Sequence, residues 1–269
     1  MRRSRLAGLI VGIAALFYSP ATALAQLSSF GVLGGSAITN TGPTGVNGNL
    51  GISPGTSVTG FPPGVVTAGS MHLNDAVAAQ AQSDLTTFYN QLAGSPCTAN
   101  LTGQDLGGLT LMPGVYCFDS SAQLTGTLIL NGAGNSAATF IFKIGSTLTT
   151  ASASSVSLMN GASSCGVAWQ VGSSATLGSG TALAGTIAAL TSITLNTGSS
   201  LNGRALARNG AVTLDTNNVS FCSGPGLSNL PAPPEVSGVP TMSLPALAGL
   251  ALLLAGLGTV LARKAQASR

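Results

Sequence analysis

Charge is almost missing from this chain. Asp, Glu, Lys and Arg together make up 6% of its 269 residues, and aromatic residues 4%. Most cations sit at the two ends: Arg2, Arg3 and Arg5, then Arg263, Lys264 and Arg269. Between Gln26 and Leu230 three cations (Lys143, Arg204, Arg208) face five aspartates (75, 84, 105, 119, 215), a balance of −2. A nucleic-acid surface needs clustered Lys and Arg, so that class of partner is excluded. Catalytic groups are equally scarce. His72 is the single histidine and has no cysteine or histidine at ligand spacing, which leaves it a capping or surface role. There is no Gly-x-Ser-x-Gly elbow, no phosphate loop and no metal box. Polysaccharide-cutting enzymes need convergent acids and bases, whereas Lys143, Asp119 and Asp215 stand isolated along the chain. The expectation is a protein that is not an enzyme and has no catalytic residue, cofactor or metal.

What the chain does contain is small and apolar. It is 45% apolar with 37 glycines. Regular Leu, Ile and Val positions argue against a disordered polymer, because disordered chains cannot bury enough apolar surface to fold. From Gly166 to Asn217 the sequence repeats. Gly166, Gly185 and Gly203 open three blocks, and Ala-Thr-Leu (175–177), Ile-Thr-Leu (193–195) and Val-Thr-Leu (212–214) recur inside them. A period of this size broken by small-residue turns marks a coiled β-solenoid. Three short strands per block predict a triangular cross-section.

Alternation assigns the faces. In the second strand of each block Leu177, Leu195 and Leu214 point inward, so Thr176, Thr194 and Thr213 point outward in one file. Likening Phe140–Ser146 to Val167–Ser173, and the Thr-Leu pair at 147–148 to Thr176-Leu177, extends the expected file to Thr147, with Leu148 beside Leu177. The first strand is apolar on both sides: Ala168, Ile187 and Ala205 alternate with Trp169, Ala188 and Leu206. A strand apolar on both faces needs a cover. Residues 71–93 supply it, with Val77, Ala81, Leu85, Phe88 and Leu92 at helical spacing. Ser70 or Asn74 is the expected cap, Asp75 lies in the first turn and Gly94 ends the helix. Such a helix is about 33 Å long. Arg204 and Arg208 are expected to pair with its Asp75 or Asp84.

The ends point to export. Residues 1–25 read as a secretory signal, with basic MRRSR, an apolar run and Ala23-Leu24-Ala25 before Gln26. The solenoid domain occupies 26–229, including less regular coils from Gln26 to Gly69. A Pro-rich linker follows over 230–243. Residues 244–269 form an apolar segment with a basic tail, and 244–262 is long enough to cross a bilayer. Four cysteines in an exported chain favour two disulfides, with three possible connectivities. The pairing expected is Cys97–Cys117, tying the loop after the helix to the next coil, and Cys165–Cys222, stapling the last coil to an earlier one.

Residues 38–64 (ITNTGPTGVNGNLGISPGTSVTGFPPG), 101–118 (LTGQDLGGLTLMPGVYCF) and 168–217 (AWQVGSSATL through NGRALARNGAVTLDTN) resemble the DUF3494-type ice-binding proteins of microbes. The resemblance spans Ser36–Asn217. It implies a discontinuous right-handed β-solenoid with a long helix alongside, and adsorption to ice as the activity. Val239-Pro240-Thr241-Met242 with its apolar and basic sequel resembles the IPTL-type sorting signals of Gram-negative bacteria, although the tryptophan usual after that motif is absent. The expected partner is thus the ice surface, with the chain a monomer, secreted or anchored at the cell envelope of a Gram-negative bacterium. The expected site is Thr147, Thr176, Thr194 and Thr213, since a threonine file repeats at roughly 4.8 Å, close to the oxygen spacings of ice. Ala182, Ala184, Ala188 and Ala189 make the other two faces less suitable. The rival site is Thr41, Thr44, Asn47, Thr56 and Thr59. A structural or adhesive cell-surface solenoid is the alternative function. If both disulfides form, a thiol reagent under denaturing, non-reducing conditions should label no cysteine; stoichiometric labelling of any one would refute the pairing.

Overall fold

The computed structural model describes residues 27–222; the expected signal, linker and anchor segments lie outside them. Before the helix come β1 (Phe30–Gly34), β2 (Ala37–Thr41), β3 (Gly45–Asn47), β4 (Asn49–Ile52), β5 (Ser57–Thr59), β6 (Val65–Thr67) and β7 (Met71–Leu73). The helix α1 spans Ala76–Gly94. After it follow β8 (Ala99–Asn100), β9 (Thr110–Leu111), β10 (Gly114–Phe118), β11 (Ala122–Leu124), β12 (Thr127–Asn131), β13 (Phe140–Ile144), β14 (Leu148–Thr150) and β15 (Ser155–Met159). The repeat region supplies β16 (Val167–Val171), β17 (Ala175–Leu177), β18 (Ala182–Ala189), β19 (Ile193–Leu195), β20 (Ser200–Ala207), β21 (Val212–Asp215) and β22 (Asn218–Ser220). Over the described residues the protein is mostly β, with parallel sheets and this one long helix.

Seven strands form one sheet in the order β11-β14-β17-β19-β21-β2-β5. The other fifteen form a second sheet containing two runs, because β18 and β20 each serve both. Their first halves lie beside β15 and β22, and their second halves pair with β16 and β1. Each strand bends at a glycine, Gly185 at φ +113° and Gly203 directly beneath it. A Cβ on Gly203 would collide with the Gly185 carbonyl oxygen. Chain order breaks at one place in each run. β2 pairs with β21, β3 with β22 and β1 with β20, so the N-terminal strands stack onto the C-terminal ones.

The inward residues of all three runs make one core. Ile193, Val212, Ile38, Leu195 and Leu214 from the seven-strand sheet meet Trp169, Ile187, Ala205 and Val32, all fully buried. Burying each large aliphatic side chain contributes about 1.5–3 kcal/mol. Trp169 stacks on Phe142 at 4.0 Å between ring centres and donates Nε1–H to the Ala184 carbonyl at 2.9 Å. This corrects the alternation read for the first strands. Ala168 lies opposite Thr186, and Trp169 opposite Ile187, so Trp169 rather than Ala168 shares the interior with Ile187 and Ala205. Val167, one residue after Gly166, is the positional equivalent of Gly185.

A second core lies on the outside of that run, beneath α1. Ala81, Leu85, Phe88 and Leu92 are buried against Phe30, Leu33, Ile141, Ala168, Ala188 and Leu206, with Val77 half-buried beside them. The helix therefore covers the apolar outer surface, but it begins later than residue 71. Met71–Leu73 pairs with β4 as a last strand, because its backbone completes the ladder before the chain turns. Asp75 is the N-cap, accepting from Ala78 N–H at 2.8 Å, and its other carboxylate oxygen meets His72 Nδ1 at 2.8 Å. The Ala78 bond first, and His72 second, hold the Asp75 carboxyl below its usual range. At nineteen residues the helix is about 28 Å long. Lys143 Nζ donates to the Ser95 carbonyl at 2.7 Å, placing a cation where the helix dipole favours one. The expected arginine pairs do not form. Arg204 turns to the Ser28 and Cys222 carbonyls, and Arg208 lies over the Tyr89 ring.

Cys97 pairs with Cys117 and Cys165 with Cys222, as expected. The first closes a 20-residue loop, worth roughly 3 kcal/mol in the chain-entropy model. Among the described residues no helix is long and apolar enough to cross a membrane.

Two outcomes follow from the helix. Phe88→Ala should destabilise the fold by about 3–5 kcal/mol in denaturant unfolding; a loss under about 1 kcal/mol, typical of exposed sites, would mean that α1 packs otherwise. Asp84 is buried, holds Gln80 Nε2 at 2.8 Å through one oxygen and has no partner for the other. Burial raises its carboxyl above the usual value, so the folded chain binds a proton that the unfolded chain releases. Stability should therefore fall as pH rises through that raised value. Asp84→Asn keeps the Gln80 bond and should melt no lower at neutral pH, with a flatter pH dependence. A clear drop in Tm would contradict this.

Candidate functional site

The seven-strand sheet presents its outer side chains in two files. The inward residues align as Ala122, Leu148, Ala175, Ile193, Val212, Ile38 and Val58. One residue on, outward, stand Gln123, Thr149, Thr176, Thr194, Thr213, Thr39 and Thr59. Six successive threonines occupy adjacent rungs, and the seven rungs span about 29 Å at roughly 4.8 Å each. Thr176, Thr194, Thr213 and Thr39 are half-buried by one another, whereas Thr149 and Thr59 are exposed. Thr39 Oγ1 donates to Thr213 Oγ1 at 3.4 Å where the N-terminal strands join the C-terminal ones.

Thr147 is not in this file. The corner before β14 is as long as the corner before β17, so Leu148 lies opposite Ala175 and Thr149 opposite Thr176. The Thr-Leu pair at 147–148 imitates Thr176-Leu177 in sequence but falls two positions early. Thr147 instead belongs to a second outward file, one residue ahead of the inward positions: Ser121, Thr147, Ser174, Ser192, Ala211, Ala37 and Ser57. Thr147 Oγ1 donates to Ser121 Oγ at 2.8 Å, and the Ser174 and Ser192 carbonyls accept from Leu148 and Ala175 N–H on the preceding rung. Among these seven rungs neither file carries a charge; Asp105 bridges Gln123 at one end of the sheet, and Asp215 lies at the margin, held by Thr197 and Thr216 hydroxyls.

The rival cluster does not assemble. Thr59 ends the main threonine file, and Thr41 lies on the same sheet beside Asp215. Asn47 projects from a different run, between Ser220 and Thr67. Thr56 is exposed in the loop before β5. Thr44 is 1% exposed and accepts from Asn217 N–H at 3.0 Å, so no ligand can reach it. Thr39 and Thr149 are the members missed from sequence. The Ile38-Thr39 pair repeats Ile193-Thr194 and was the available signal.

The other two runs are less open. One lies under α1, where Ala188 is fully buried, while Ala189 turns into the main core. The third is split, since β15 touches β18 only at Ser155 and Ala182. A groove of about 470 Å³ opens there, lined by Val156, Leu158, Leu183, Leu201, Asn202 and Ser220 among others. Among the described residues no three His, Cys, Asp or Glu side chains gather as a metal site.

Comparison with known proteins converges on one family. Residues 32–220 match the family described as Ice-binding-like. An ice-binding protein of Nostoc sp. (strain HG1) is 59% identical over 198 residues, covering 73% of each chain. One from Colwellia sp is 34% identical over 214 residues, covering 74% of this chain and 83% of the relative. Among solved structures, an ice-binding protein of the Antarctic ascomycete Antarctomyces psychrotrophicus aligns with a TM-score of 0.72 at 41% identity, over 75% of this chain and 98% of that one. An ice-binding protein from an Antarctic biological consortium gives a TM-score of 0.72 at 44% identity, over 79% and 96%.

Proposed function

The chain belongs to the ice-binding-like family, and on that premise we propose that it adsorbs to ice through the outer face of the seven-strand sheet and so restrains ice growth and recrystallisation. The observation that carries the reading is the run of six outward threonines on adjacent rungs. Each offers a hydroxyl and a methyl group at the same height, and the serine, threonine and alanine file beside it adds a second row. We read the scaffold as a right-handed coil of triangular section, which keeps the three strands of a turn in fixed relation.

Such a face can order water before ice arrives. The side chains are locked by strand pairing, so little ordering entropy remains to be lost at adsorption. β-branched threonine has few rotamers to lose. Absence of charge matters equally, because a fixed ion would hold its own hydration shell against the crystal. Ice growing between adsorbed molecules must curve, and a curved front melts at a lower temperature than a flat one. The two disulfides support export to an oxidising compartment, where extracellular ice would be met. In our reading the protein acts as a monomer, free or tethered through 244–262.

Thr194 stands on the central rung of the seven. Thr194→Tyr should abolish most thermal hysteresis of the folded protein with an unchanged melting curve, because a ring at that position lifts the face from the crystal. Full activity in the folded variant would sink this choice of face.

A further inference from the structure

The corner between the seven-strand sheet and the split run contains a buried file of short polar side chains. Ser154, Thr181, Ser199, Asn217 and Thr44 are each no more than 4% exposed, and each immediately precedes a strand (β15, β18, β20, β22 and β3). Their carbonyls accept from the following rung in turn: Ala182 N–H on Ser154, Ser200 N–H on Thr181, Asn218 N–H on Ser199, Gly45 N–H on Asn217 and Val65 N–H on Thr44. Side chains add cross-links, such as Thr150 Oγ1 with Thr181 Oγ1 at 2.9 Å.

One link in this file differs from the rest. Asn217 and Thr44 are 173 residues apart, and they meet where the N-terminal strands join the C-terminal ones. Asn217 N–H donates to Thr44 Oγ1 at 3.0 Å, and Gly45 N–H donates to the Asn217 carbonyl at 2.9 Å. The Asn217 amide binds the neighbouring rung through Nδ2, to Ser199 Oγ at 3.0 Å and the Asn196 carbonyl at 3.0 Å, and accepts Asp215 N–H at 2.6 Å. The threonine file crosses the same junction, from Thr213 to Thr39. Five of its rungs lie on one side and two on the other.

We propose that Asn217 and Thr44 are positioning residues for ice adsorption: they lock the junction so that the rungs of Thr39 and Thr59 continue the spacing of the five before them. The inference rests on the threonine face being the ice surface. Neither side chain touches ice. Both act by keeping one lattice of seven rungs from becoming two fragments of five and two. An unsatisfied group at this buried corner would favour displacement of the N-terminal strands, since a buried donor without an acceptor is costly.

The test uses full-length protein, with melting measured to confirm that every variant is folded at the freezing point. Thr44→Val removes the acceptor but keeps the shape, Thr44→Ser restores it, and Ser154→Ala removes a corner hydroxyl where the chain is continuous. Hysteresis should fall about twofold in Thr44→Val and stay near wild type in the other two, and Thr59→Tyr should reduce activity in wild type but add nothing to Thr44→Val, the signature of coupled positions. If Thr44→Val does not fold, Thr44→Ala, which also lacks the acceptor, is read in the same way. Undiminished hysteresis in the folded variant, or an equal loss in Ser154→Ala, would overturn the proposal. Wild-type protein without hysteresis would instead overturn the reading of the face.

Discussion

Parallel backbone pairing between successive rungs is the interaction on which everything else depends. It sets the outward side chains at one height and one spacing, and it leaves no freedom for a single rung to slip. In a strand a slip of one residue exchanges inside for outside. Here that would put Ile193 or Val212 in water and Thr194 or Thr213 in the core. The penalty repeats at every rung, so the hydrophobic interior and the polar exterior enforce the same register. The junction of β2 with β21 is where this enforcement is least local, because the paired residues come from opposite ends of the fold. At the adjoining corner the buried Asn217 and Thr44 bond to each other across the junction.

The three runs of strands divide the work. One gives its outer surface to α1, and the second core formed there ties the helix to strands from both ends of the chain. Gln82 adds bonds to the Gly34 and Ala207 carbonyls, and Tyr89 OH one to Val171. Another run is split at β15, with the Trp169 indole taking the Ala184 carbonyl that a complete ladder would use. The remaining run has short strands and a plain Thr/Ser exterior. Beneath the threonines, Ile193, Val212, Ile38, Leu195 and Leu214 form a continuous buried ladder.

Much of this was legible in the repeat. Ile-Thr-Leu at 193–195 and Val-Thr-Leu at 212–214 align in the structure as they do in the sequence, because block length and strand length agree there. Legibility failed at several places. The Thr-Leu pair at 147–148 copies Thr176-Leu177 and so masked Thr149, although the corners before β14 and β17 are equal in length, and the direct bend of β18 at Gly185 shifted the apparent partner of Trp169. Thr44 looked like a surface threonine because the sequence does not show which corner residues face inward; its burial follows from the Asn217 N–H it satisfies. The helix stripe from Val77 to Leu92 was readable, but its start was not, since Met71–Leu73 has no signal distinguishing a final strand from a first helical turn. Ile38-Thr39 repeats the Ile-Thr pair at 193–194, but no local pattern shows that β2 stacks onto β21 and so carries Thr39 and Thr59 into the same file.

The central claim is physical: a rigid, uncharged, periodic face binds ice because its groups are already in place. The most direct measurement is partition of the protein between slowly growing ice and the remaining liquid. An ordinary solute is rejected by the advancing crystal. This account predicts that the protein is instead enriched in the ice fraction and remains folded on melting. Exclusion into the liquid, at the level of a non-binding protein of similar size, would contradict it.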